Sequence, residues 1–394
     1  MLKALFSLPR SVWLLGLISL VNDSASELVY PLVPLYLSGV LMAGPRVLGL
    51  IEGVAEAMAS LLKLWAGVMV DRSGRSKPWV VAGYGLAGLA RPLIAFVTGW
   101  PSLLALRLAD RIAKAVRAAP RDALLAANID AGQRGLAFGL HRAMDNAGAV
   151  IGPLLAWALL SAGVPLGRVF LWAVIPGLLC LALTLAVKDA PPPAARPPRF
   201  SWTLAGLPAP LRRYLVVVAL FTLGNSSNMF LLLRARELGV AEAQVPLLWA
   251  AVSGVAALFS VPLGGLSDRV GRVRLLVAGY LAYAVFYIGM GWFAAPGWPL
   301  YALFGLYGIF MAATDGVERA LLADLTPPEQ RGTAFGWLNL TMGALLLPAS
   351  LLFGGLWEGS SARLAFGFSA GCALAAALLL TAWVRPASTR LFER

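Results

Sequence analysis

The sequence predicts an all-α chain that crosses a membrane about twelve times. Three observations carry that expectation. Of 394 residues, 59% are hydrophobic and only 13% charged, whereas a soluble domain carries roughly 25% charged residues. The apolar residues cluster in charge-free runs such as 154–160, 170–187, 214–221 and 364–384. Runs of roughly 20 such residues match a bilayer core, and backbone in lipid must satisfy its own hydrogen bonds, which selects helices. Finally, the two halves repeat one another, as set out below.

The first span is read at 11–37. Lys3, Arg10, an apolar stretch and Ser24-Ala25-Ser26 imitate a signal peptide, but the stretch continues through Tyr30-Pro31-Leu32-Val33-Pro34, so the helix is read as retained. The second, 46–70, and third, 78–97, flank a short charged loop. The fourth, 101–126, carries a row of cations; the fifth, 135–160, holds spaced glycines; the sixth, 167–187, is almost purely apolar. The break at 188–212 contains Pro191-Pro192-Pro193 and Pro197-Pro198, which favours an extended, solvated linker. The second set follows at 214–236, 244–267, 273–293, 298–323, 332–356 and 363–384. The domain expectation is therefore an N-terminal bundle at 1–187, a linker at 188–212 and a C-terminal bundle at 213–394.

A net charge of +13 in a soluble protein points to nucleic acid. Here Arg72, Arg75, Lys77, Arg134, Lys188, Arg212, Arg213, Arg269, Arg272 and Arg331 all fall in loops on one side, against Arg46, Arg168, Arg234, Arg236 and Arg363 on the other. The positive-inside rule then places both termini and the linker in the cytoplasm, and no nucleic-acid partner is expected. Cys180 and Cys372 sit singly inside apolar runs, with no disulfide or metal spacing. There is no Gly-x-x-x-x-Gly-Lys-Ser/Thr loop, so ATP is not the expected power source. Hydrolase signatures are also absent, and neither an enzyme activity nor a cofactor is expected. The Gly83-x-Gly85-x-x-Gly88 pattern lies inside a span and reads as helix packing, not as a dinucleotide loop.

Asp71-Arg72-Ser73-Gly74-Arg75 recurs as Asp268-Arg269-Val270-Gly271-Arg272. Gln133-Arg134-Gly135 recurs as Gln330-Arg331-Gly332, and Ala123-Leu124-Leu125-Ala126 as Ala320-Leu321-Leu322-Ala323, all at one offset. Two like bundles are expected to form a substrate site at their interface. The segment Gly67-x-x-x-Asp71-Arg72-x-Gly74-Arg75 resembles the loop signature of the major facilitator superfamily, and Gly264-x-x-x-Asp268-Arg269-x-Gly271-Arg272 is its second-half copy. The resemblance covers the whole chain and looks most like prokaryotic multidrug-type exporters. It implies the major facilitator fold of two pseudo-symmetric six-helix bundles, a prokaryotic cell membrane and a monomer. It also implies that Gly67, Asp71, Arg72, Gly74, Arg75, Asp268 and Arg269 form a conformational latch, the plainer alternative being positive-inside charge. In the fifth span, Gly139, Gly148, Gly152 and Pro153 resemble the antiporter signature of drug exporters. Ala156 and Trp157 depart from its paired glycines, and generic small-residue helix packing is the competing explanation.

Ionisable residues within the bilayer are costly and hence functional candidates. Asp23 and Glu27 share a face of the first span. Glu52, Glu56 and Lys63 share one of the second, and Arg107, Asp110, Arg111, Lys114, Arg117 and Arg121 share one of the fourth. His141, Arg142 and Asp145 lie along the fifth. The proton-coupling candidates are Asp23, Glu27, Glu56, Asp110, Asp145 and His141, with Asp315 and Glu318 as the next acidic group. Cavity candidates are Asn22, Arg107, Arg111, Lys114, Arg142, Asn225, Asn228, Asp315 and Asn339. Glu52 and Arg91 are alternatively near-surface, and any of these charges is alternatively a structural ion pair. A single histidine makes no zinc cluster; a soft-metal contact of His141 with Met144 is weighed below a proton relay to Asp145, and no metal site is expected. The functional expectation is a secondary transporter exporting small amphiphilic molecules against protons. The alternatives are uptake or exchange of an anionic or polar metabolite or a metal ion and, more remotely, a non-transporting membrane sensor.

Overall fold

A computed structural model describes residues 8–73, 76–127, 134–187, 189, 206–327 and 330–384, with the side chains of 64–73, 119, 123, 126–127, 134–136 and 331–332 outside the described set. Among the described residues the secondary structure is helical throughout and falls on all twelve expected spans. Proline marks many helix starts: Pro9 precedes Arg10–Val29, Pro78 opens Lys77–Leu93, Pro208 precedes Ala209–Gly224 and Pro299 opens Trp298–Asp324. In a first turn its missing N–H costs nothing, because that group has no intrahelical partner there.

Three spans are broken, each where the sequence supplies a cause. The first runs as Arg10–Val29, a 3-10 turn Tyr30–Leu32 containing Pro31, and then Val33–Gly39. The sixth is divided at Ala173 into Leu166–Trp172 and Val174–Ala186, just before Pro176, whose ring removes a helical donor. The seventh stops at Gly224 and resumes as Met229–Glu237. Between them, Asn225, Ser226, Ser227 and Asn228 offer side-chain partners that compete with the helix. Among the described residues ten helices are long and apolar enough to cross a bilayer. The remaining spans, Pro45–Ser73 and Trp100–Ala127, are those carrying the charged stripes.

The chain divides into two compact units. The first comprises Met1–Ala43, Val54–Pro197 and Ala241–Ala250; the second comprises Gly44–Gly53, Pro198–Val240 and Ala251–Arg394. Each unit takes in the start of one helix whose remainder lies in the other. The start of the second-span helix belongs to the second unit, because Gly49 and Gly53 bring its backbone onto the eleventh span. A Cβ on Gly49 would stand 2.3 Å from Ser350 O, and one on Gly53 would stand 2.8 Å from Leu347 Cδ1. The start of the eighth span, Val245–Val270, belongs to the first unit, where Trp249 Nε1 donates to Glu27 at 2.8 Å.

Within the first unit, the first and fifth spans touch backbone to backbone. A Cβ on Gly148 would lie 2.5 Å from Leu20 O, and one on Gly152 would lie 2.6 Å from both Ser24 O and Leu28 N. Small residues of this kind permit close helix approach in lipid. The third span meets the fourth at Gly83 and the sixth at a Gly88–Gly177 contact, so these glycines serve packing. The second unit is aromatic instead. Phe221 stacks on Tyr280 at 4.1 Å, Tyr283 stacks on Tyr287 at 4.1 Å, and Phe353 meets Phe366 edge-on at 5.1 Å. Such pairs add about 0.5–1.5 kcal/mol each beyond area burial.

Candidate functional site

The polar machinery of the first unit grows from the fourth-span helix, whose charged residues recur at helical spacing on one face. Asp110 lies on that face and is almost wholly buried. Arg91, in the last turn of the third span, donates Nε to Asp110 Oδ1 at 2.8 Å. Its Nη1 reaches both Asn22 O and Asn22 Oδ1 at 3.1 Å. Arg107 stands 3.7 Å from the other carboxyl oxygen of Asp110. The knot joins three spans in a place from which water is excluded. Arg91 and Glu52, which the sequence left as near-surface alternatives, are 3% and 1% exposed; the helices around them close over both side chains.

One helical turn further along the fourth span, Arg111 pairs with Glu56 of the second at 2.7 Å. Arg117 is buried with its guanidinium 4.7 Å above the ring of Tyr84. Gly83 leaves room for it, since a Cβ there would meet Arg117 Cβ at 2.7 Å. Arg117 is thus part of the interior of the first unit. Lys114, expected on the cavity face, is exposed. Arg107 and Arg111 each face a carboxylate.

A second polar centre forms where the first span crosses the fifth. Asn22 Nδ2 donates to Asp23 Oδ1 at 2.8 Å. Asp23 packs on the fifth span one turn from Asp145, where a Cβ on Gly148 would stand 3.0 Å from Asp23 Cβ. Ser19 donates its hydroxyl to Asp145, and Arg142 stands 3.8 Å away on the more exposed side. His141, one turn before Asp145, is 5% exposed, and neither ring nitrogen has a hydrogen-bond partner among the described residues. The Gly148 and Gly152 contacts make this meeting possible, because wider helix spacing would part the two carboxyls. Gly139, by contrast, has open space around it. Glu27, one turn beyond Asp23, is bonded to Trp249, whose ring lies 5.1 Å from that of Tyr30.

In the second unit, Asn228 accepts a hydrogen bond from Tyr307 at 2.5 Å, while Asn225 Oδ1 is buried without a partner. Asp315 and Asn339 are exposed and join no buried polar cluster. The buried acid of the tenth span is Glu318, which the sequence offered only as a reserve; its place beside Asp315 gave no sign of which side chain turns inward.

Gly67, Asp71 and Arg72 belong to the stretch whose side chains are outside the described residues, as do Gly74 and Arg75 entirely. The second-half copy is described. Gly271 turns the chain at φ +100°, a region that glycine enters freely. Arg272 then reaches Asp324 at 2.6 Å and Asp268 at 3.5 Å, and it donates to Ala320 O. Arg272, not the exposed Arg269, ties this loop to the tenth span. Among the described residues no group of three or more His, Cys, Asp or Glu is placed to hold a metal ion.

Comparison with known proteins bears on the whole chain. The family model described as Major Facilitator Superfamily matches residues 15–233 and 214–393. An MFS-type transporter of Methanocaldococcus jannaschii is 32% identical over 380 residues, spanning 95% of this chain and 94% of its own length. The multidrug resistance protein MdtG of Enterobacter lignolyticus is 27% identical over 317 residues, spanning 75% and 72% of the two chains. A crystal structure of the nucleoside transporter NupG aligns with a TM-score of 0.80 over 95% of this chain and 100% of that one, at 13% identity; this likeness concerns the fold.

Proposed function

Because the chain belongs to the major facilitator superfamily, a family of multi-pass membrane transporters for small molecules, we propose that it is a proton-coupled secondary transporter that exports small amphiphilic molecules by alternating access. The observation that carries this reading is the close crossing of the first and fifth spans at Gly148 and Gly152, which gathers Asp23 and Asp145 into one polar centre with Ser19 and Asn22. Two carboxyls close together and away from water are costly to ionise at once, so such a centre is suited to hold a proton. A proton held at a helix crossing is released when the crossing loosens, and that links proton movement to a change of conformation. His141 stands one turn away as the relay. Asp110 and Glu56 are left out of the proton carriers, because each is clasped by arginine in the manner of a structural ion pair.

Export is favoured by the likeness to MdtG and by the fifth-span glycines that resemble an antiporter signature. Uptake or exchange of an anion would draw on Arg107, Arg111 and Lys114 together, whereas Arg107 stands beside Asp110 and Arg111 pairs with Glu56. The proposal includes a monomer in a prokaryotic cytoplasmic membrane with both termini inside. The test is transport in proteoliposomes under an imposed pH gradient. Asp23→Asn and Asp145→Asn should abolish proton-driven transport while substrate exchange continues. Unchanged proton-driven transport in both variants would remove the pair from the mechanism.

A further inference from the structure

Glu318 is a carboxyl that the scheme above does not use. It projects from the tenth-span helix Trp298–Asp324 into the second unit and is 8% exposed. Its Oε1 accepts a hydrogen bond from the phenol of Tyr280, on the ninth span, at 3.0 Å. A second phenol, that of Tyr214 on the seventh span, donates to the backbone oxygen of the same residue at 3.4 Å. Around these groups Phe221 stacks on Tyr280 and closes the site with apolar surface. The charged neighbours on its own helix are Asp315 and Arg319, both exposed. Among the described residues no arginine, lysine or histidine reaches ion-pair distance of its carboxyl.

This differs in kind from the carboxyls of the first unit. Asp110 and Glu56 each have an arginine within 3 Å. Glu318 has a neutral donor and a ring of aromatics. An ionised carboxylate without a cation is expensive in such a place, and a phenol compensates only part of that cost. The internal repeat adds a second argument. The register that pairs Ala123 with Ala320 also pairs Arg121 with Glu318 and Asp122 with Arg319. In the first unit the Arg121–Asp122 pair makes a local ion pair with its acid half-exposed. In the second unit the signs are exchanged, and the acid is the member turned inward. Glu318 is therefore not a retained copy of the first unit's pair.

We infer that Glu318 is a second proton-binding site of the transport cycle, separate from the Asp23–Asp145 pair, with Tyr280 as its positioning residue. Its gain and loss of a proton follow the packing of the ninth span against the tenth. The inference rests on the proton-coupled reading, and two measurements keep the two apart. The first is the dependence of the steady-state substrate gradient on the pH gradient. Glu318→Gln, which preserves shape, should lower the number of protons moved per substrate by one while exchange continues. An unchanged ratio overturns the inference. The second is infrared difference spectroscopy of the purified full chain across a pH titration, which needs no transport. The parent should show a protonated-carboxyl C=O band that Glu318→Gln removes, Tyr280→Phe shifts and Asp23→Asn leaves in place. If Glu318→Gln does not fold, the Tyr280→Phe shift decides. A band indifferent to both substitutions overturns the inference, and a Glu318 band in a protein without proton-driven transport overturns the coupling reading alone.

Discussion

Asp110 of the fourth span and Asp23 of the first are joined through Arg91 and Asn22, and their neighbours give them different work. Asp110 offsets two buried arginines; Asp23 meets another acid. Removing one partner from a buried ion pair costs about 3–5 kcal/mol, because the other charge is left buried alone. Asp110→Asn should therefore lower the thermal midpoint in detergent clearly, yet leave the ratio of proton-driven transport to exchange unchanged in whatever protein folds. Combining Asp110→Leu with Arg91→Leu should recover part of that loss, since a well-packed apolar replacement of both charges is often neutral. A double-mutant cycle by thermal denaturation measures this, and additive losses would mean the pair is not a unit. The periodicity of the sequence brought the right spans into question, because charges on one helix face are visible in a string of letters. It did not reveal which partner each charge finds. Arg91 carried no signal beyond its charge, and its role appears only when three helices converge on it.

At the scale of elements, glycine spacing decides where helices touch. Gly152 faces backbone of the first span, so Gly152→Val puts atoms where no flexible side chain is able to yield. Overpacking of this kind costs about 1–3 kcal/mol, and here the helices must also separate. The expected outcome is a protein that inserts, loses stability and loses proton-driven transport. Gly139→Ala, with open space around it, should behave like the parent, and equal behaviour of the two variants in a fluorescence-monitored stability assay would contradict the assignment. The Arg272 clasp makes a companion case. Arg272→Ala frees the ninth-span loop from Asp324 and should slow transport severalfold at equal membrane abundance; a parent-like rate would assign the clasp to the static fold. Asp71→Asn in the first loop is expected to impair transport more than Asp268→Asn, as the resemblance implies. Ten of the spans were legible from apolar length, and the charged second and fourth were legible from their place in the repeat. Their breaks were less so. Pro31 and Pro176 announce two of them, but the third rests on polar residues that compete with the helix only inside a protein interior.

For the molecule as a whole, sidedness is the property on which every mechanistic statement depends. Proton coupling has a direction only if the loops are assigned to sides. The argument is electrostatic: the arginines and lysines of the alternate loops accumulate on one face, and translocating them is disfavoured. The two compact units are each built from non-contiguous segments, so a folded unit does not by itself report which loop lies where. A position in the expected linker, residue 194, which lies outside the described residues, tests the matter. A cysteine at Ala194, in a chain with Cys180 and Cys372 replaced by serine or alanine, should react with an impermeant thiol reagent in inside-out vesicles and stay unlabelled in intact cells. Cys180 and Cys372 are buried and must be removed only to silence slow background. A second cysteine at Ala43, between the first and second spans, should show the opposite pattern. The two positions are separated by an odd number of spans, so any topology consistent with the helices labels them from opposite sides. Labelling of both from one side would mean a miscounted span. Labelling of Ala194→Cys from outside alone would reverse the orientation, and with it the direction assigned to export.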